Sequence, residues 1–147
     1  MNAYTDTTYL GFDFGLKRIG VAIGQSLTRQ ARPLTVLRAA EGIPNWSDIE
    51  NLINEWQINA LVVGIPVHMD GRAQPIGQKA LAFANSLSKR FQLPVAHADE
   101  RLSTMEARSQ IFHQKGKKKR NPLAHGQAVD AHAAQIILQC WLDQQGE

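Results

Sequence analysis

A carboxylate, Asp13, stands inside an otherwise apolar run, LGFDFGLKRIGVAIG, between Leu10 and Gly24. Two β-prone segments rich in aromatic and branched residues flank Gly15-Leu16-Lys17-Arg18, so the stretch reads as a hairpin with an acid in the middle of its first strand. An isolated charge on a buried central strand is prohibitively costly unless it is hydrated, paired or metal-bound. Two further acids are candidate companions: Glu100 in HADERLST and Asp130 in VDAHAAQIIL. Cations stand close to them in the chain. Lys17 and Arg18 follow the first strand, Arg101 follows Glu100, and Lys115 to Arg120 carries five positive charges in six residues. Carboxylates with nearby cations are the parts from which a phosphate-handling site is made.

Each group also has an ordinary role open to it. Asp13 can pair with Lys17 or Arg18. Asp99 and Glu100 are neighbours at a strand end, where successive side chains point to opposite sides, so one of them at most faces Asp13. Asp130 can complement a helix dipole, and Glu106 has capping-box spacing from Ser103. Lys117, Lys118, Lys119 and Arg120 can form a solvated loop, or can hold phosphates and make binding fall steeply with salt. The histidines show no zinc-protease spacing.

The elements that must position these groups alternate along the chain. Pro33 to Ala39 reads as a third strand, which favours an antiparallel meander. Trp46 to Trp56 places apolar residues at helical spacing, and the wholly apolar Ala60 to Ile65 is a strand covered on both faces. A helix over Ala73 to Phe91, a strand over Pro94 to His97, a helix over Thr104 to His113 and a final helix from Val129 to Leu142 complete the order βββαβαβαα. The 147 residues fit a single domain, 1–147, with flexible ends expected at 1–8 and 143–147. No apolar run reaches the ~20 residues of a membrane span, and the N-terminus lacks a signal-peptide pattern, so the expected location is the cytoplasm. With Cys140 as the sole cysteine, neither an internal disulfide nor a cysteine zinc cage can form. A net charge of +3 permits a nucleic-acid partner without demanding one.

The ordered set FDFGLKRIGVAIG, ARPL, VVGIPVHMDG, FAN, DERLSTMEAR and VDAHAAQIIL resembles the YqgF family, whose members are described as pre-16S ribosomal RNA nucleases and as Holliday junction resolvase-like proteins. The resemblance runs from about Leu10 to Leu142 and implies an α/β, ribonuclease H-like fold with a mixed five-stranded sheet flanked by helices. It further implies a nuclease in which Asp13, Glu100 and Asp130 are catalytic and hold Mg²⁺ or Mn²⁺. Two such ions can activate water and stabilise the leaving oxygen of a phosphodiester. Lys17, Arg18, Arg101 and the run Lys117 to Arg120 would then bind substrate. Implied partners are nucleic acid, with precursor rRNA ahead of branched DNA, and ribosomal precursor particles. Oligomeric state is not legible. One departure is visible: family members usually carry a lysine shortly before the last-helix aspartate, where this chain has His125-Gly126-Gln127-Ala128-Val129. Two other classes of protein share parts of this pattern. Actin-like ATPases share Asp-x-Gly strand turns but need a second lobe that this length cannot supply. A non-catalytic RNA-binding assembly module would keep the acids without the chemistry.

Overall fold

The computed structural model describes residues 6–66, 75–99 and 122–145, with residues 75 and 122–130 described in backbone alone. Its strands are β1 (Thr8–Asp13), β2 (Arg18–Gln25), β3 (Gln30–Ala40), β4 (Ile43–Pro44), β5 (Ala60–Ile65) and β6 (Val95–Asp99); its helices are α1 (Trp46–Trp56), α2 (Pro75–Phe91) and α3 (Pro122–Gln145). The strand order is β4-β3-β2-β1-β5-β6. Successive strands from β1 to β4 pair antiparallel, as the meander reading requires, while β5 runs parallel to both β1 and β6. The sheet has six strands where five were expected. The extra one is Ile43–Pro44, which pairs with Ala39 and Ala40 and is too short to show periodicity. The helix expected over Thr104 to His113 lies outside the described residues.

Strand alternation sorts the side chains into two cores. Leu10 and Phe12 of β1, Ile19, Val21 and Ile23 of β2, and Leu61, Val63 and Ile65 of β5 face α1 and α2, where they meet Ile49, Phe83 and Leu87. On the other face, Ala22, Val62 and Ala98 meet Ala134, Ile137, Leu138 and Leu142 of α3. Small residues on the sheet let α3 lie close: a Cβ added at Gly11 would come within 2.8 Å of Leu138 Cβ, so only glycine fits there. Leu138 packs over Gly11 and Gly24, and Leu142 over Gly24, the partner of Tyr9. The helix therefore runs antiparallel to β1, with its early turns toward Asp13.

Asp6 Oδ1 accepts hydrogen bonds from Ser26 Oγ and the Leu27 amide, and the Thr8 amide donates to Asn59 Oδ1 at 2.9 Å. These contacts tie residues 6–8, expected to be flexible, into the fold. No described helix is long and apolar enough to cross a membrane.

Candidate functional site

Asp13 is the last residue of β1, at the carboxyl end of an interior strand instead of the middle of one, and it is half-buried. Its position is fixed from both sides. Phe12 and Phe14 are 0% and 6% exposed and both lie against Phe83 of α2, with ring centroids 5.5 and 5.4 Å away. Two anchored neighbours on one face leave the carboxylate on the opposite face, that of Tyr9 and Gly11, where α3 packs. Phe83 thus braces both neighbours of Asp13, a contact that sequence reasoning missed. It stands within FAN, and nothing in its local pattern tells that it touches both sides of Asp13.

The residues directly beside Asp13 in the sheet are Gly20 on β2 and Gly64 on β5. Neither strand therefore sets a side chain at the register position directly opposite the carboxylate. The turn after Asp13 is equally constrained, because a Cβ at Gly15 would collide with the Arg18 carbonyl oxygen. Two hydrogen bonds fasten this turn to the next hairpin: the Ala39 amide donates to Lys17 O at 2.8 Å and the Gly42 amide to Leu16 O at 2.9 Å. Lys17 and Arg18 are both exposed at this end of the sheet.

Asp99 ends β6, in register with Ile65. Val95 packs toward α1 and α2, whereas Ala96 and Ala98 belong to the α3 face. By alternation, Asp99 falls on the face opposite Asp13. Glu100, Arg101, Lys117, Lys118, Lys119 and Arg120 lie outside the described residues. Asp130 is described in backbone alone. It sits in the third turn of a helix that begins at Pro122, not at the helix start. Dipole complementation fades beyond the first turn, so that role does not account for it. Position 130 extends the series Ala134, Leu138 and Leu142 at intervals of four, all three of them buried. From Leu138, over Gly11, eight residues back along α3 cover about 12 Å, while Gly11 to Asp13 spans about 7 Å of strand. The backbone at 130 is thereby carried to the end of the sheet where Asp13 lies.

Among the described residues no three histidine, cysteine, aspartate or glutamate side chains converge as a metal group, and of the three expected acids only Asp13 has a described side chain. Carboxylate oxygens of the kind Asp13 presents suit a hard divalent cation that keeps several waters.

An α/β sheet of this order, covered by α3 on one face and α1 and α2 on the other, has solved counterparts. RuvC from T. thermophilus, in complex with a Holliday junction substrate, superposes with a TM-score of 0.55 at 16% identity, covering 95% of this chain and 96% of that one. A second structure of Thermus thermophilus RuvC gives 0.54 at 14% identity, covering 95% and 97%. The class is thus the ribonuclease H-like fold of RuvC. More closely, the chain belongs to the RuvX family, described as Holliday junction resolvase, which matches residues 7–144. Relatives named "Putative pre-16S rRNA nuclease" are 50% identical over 137 residues in Haemophilus ducreyi, covering 93% of this chain and 96% of that protein, and 51% identical over 138 residues in Pectobacterium carotovorum, covering 94% and 96%. This is a family of hydrolytic nucleases.

Proposed function

We propose that the protein is a divalent-metal-dependent endonuclease that cuts phosphodiester bonds of structured nucleic acid, with 5′-end maturation of pre-16S rRNA as its reaction. The observation that carries this reading is the setting of Asp13: one carboxylate at the carboxyl end of a central strand, locked by Phe12 and Phe14 and flanked in register by two glycines. Such a group is rigid and approachable, as a metal ligand for a bulky phosphodiester must be. Asp13, Glu100 and Asp130 would hold Mg²⁺ or Mn²⁺, which when bound activates a water and offsets charge on the leaving oxygen. Glu100 is preferred to Asp99, since Asp99 falls on the face of β6 opposite Asp13. Rigid placement matters to rate, because a misplacement of ~1 Å can cost about a hundredfold.

The relatives' names favour precursor rRNA. The family description and the RuvC fold favour a second substrate, branched DNA. Cleavage of a small-subunit rRNA precursor, a four-way DNA junction and linear controls by the parent and by Asp13→Asn decides between them. The expected result is metal-dependent cutting of the precursor at defined positions, abolished by Asp13→Asn. Cutting of the junction alone transfers the activity to DNA. If neither is cut with Mg²⁺ or Mn²⁺ while RNA still binds, the protein is a non-catalytic assembly module.

A further inference from the structure

Arg18 and Arg38 face each other directly across β2 and β3. Both are exposed. Among the described residues no hydrogen bond or ion pair joins Arg38 to a carboxylate. The face is settled by alternation. Ile19 and Val21 on β2 and Leu37 on β3 point into the α1 and α2 core, so positions 18 and 38 stand on the opposite face, that of Asp13.

Their place relative to Asp13 follows from the same register. Gly20 is the direct partner of Asp13, and Arg18 lies two residues further along β2. That is about 7 Å beyond the Asp13 row, with β3 about 10 Å to one side of β1. The corner is also stiff, because hydrogen bonds from Ala39 and Gly42 to the carbonyls of Lys17 and Leu16 tie the first turn to β3 and β4. Two arginines whose backbones are one strand spacing apart and about one row out from the candidate catalytic acid are placed to meet the phosphates of a nucleic-acid strand that lies over Asp13.

We propose that Arg38 is a substrate-binding residue which, with Arg18, grips the phosphodiester backbone on the β3 side of Asp13. This assignment rests on the nuclease reading above, and it adds a contact that the chain's motifs do not reveal: Arg38 is 25 positions from Asp13, and only the strand register brings it to the site.

The test is equilibrium binding across a salt series, made with the full chain carrying Asp13→Asn so that nothing is cut. The probes are a fluorescent RNA stem-loop with single-stranded flanks and a DNA four-way junction. Arg38→Gln should weaken binding and reduce the slope of log K against log salt by about 0.7 to 0.9, the share of one phosphate contact. Arg18→Gln should do the same, and the double variant about twice as much. Arg29→Gln, in the β2–β3 turn at the far end of the sheet, should leave the slope unchanged. Thermal unfolding supplies the second readout: Arg38→Gln, a change at an exposed position, should melt close to the parent, so that weaker binding is not a loss of fold. An effect on one probe alone assigns the track to that polymer. A full parental slope in Arg38→Gln overturns the proposal while leaving the nuclease reading standing. Failure of the parent itself to bind either probe overturns the nuclease reading.

Discussion

Asp13 gets its geometry from residues that do no chemistry. Phe12 and Phe14 are both pinned by Phe83, so shortening that one ring loosens the acid from two sides. Phe83→Leu should lower stability by about 1–3 kcal/mol in urea titrations and reduce turnover by more than it changes KM. A fall in stability with turnover intact would make Phe83 a core residue only. The neighbouring acids give a second expectation. Glu100→Gln should remove metal-dependent cleavage with little change in nucleic-acid affinity, whereas Asp99→Asn should keep a measurable share of activity, because its strand position turns it from Asp13. The reverse pattern moves the ligand by one residue. Asp13 was legible as a candidate because an acid among aromatic residues contradicts burial. Phe83 and Arg38 were not, since a ring contact across the core and a partner across a strand pair depend on long-range packing that no local spacing encodes.

At the scale of elements, α3 is held to β3 by more than apolar contact. The Ala31 amide donates to Gln139 Oε1 at 2.9 Å, Gln135 Nε2 donates to Ala31 O at 3.0 Å, and Gln139 Nε2 donates to Arg29 O at 2.7 Å. Two side-chain amides thus saturate the backbone of Ala31, and Pro33, two residues on, has no amide hydrogen to offer. Gln139→Ala should cost about 0.5–2 kcal/mol and speed hydrogen exchange at Ala31 above that of its neighbours; equal exchange would show that the contact does not hold the strand. These bonds also explain which boundaries could be read ahead of the structure. The helix Trp46–Trp56 and the strand Ala60–Ile65 have the expected limits, as local signals bound them: Asn45 caps the helix start and Gln57 ends it in a left-handed conformation. The third strand begins at Gln30 instead of Pro33 because Gln135 and Gln139, more than a hundred residues away, stabilise a polar start. The last helix begins at Pro122, a residue suited to a first helical turn, which the apolar pattern from Val129 onward conceals.

For the molecule as a whole, the two cores share one sheet, and we propose that they melt together. Trp46 and Trp56 pack on the α1 side and Trp141 on the α3 side, where it meets Tyr9 edge-on at 4.9 Å. Single-tryptophan variants should give coincident unfolding curves, and separated midpoints would reveal two units. The basic run belongs at this scale too. Replacing Lys117, Lys118 and Lys119 by alanine should weaken binding to all sequences alike and flatten the salt dependence by about 3 units at most; an unaltered slope would leave the run as a solvated segment. Finally, the close seat of Leu138 over Gly11 has a consequence in time. Every strand of the sheet precedes α3 in the chain, so during synthesis the face of Gly11, Ala22 and Ala98 exists before the helix that covers it. On the three-acid proposal, a nascent chain that has emerged only as far as β6 carries Asp13 without Asp130. Chains stalled at that length should bind a hydrophobic dye and cut nothing, so that, if precursor rRNA is the substrate as proposed, the enzyme stays harmless to the messenger and ribosome making it until its final helix docks.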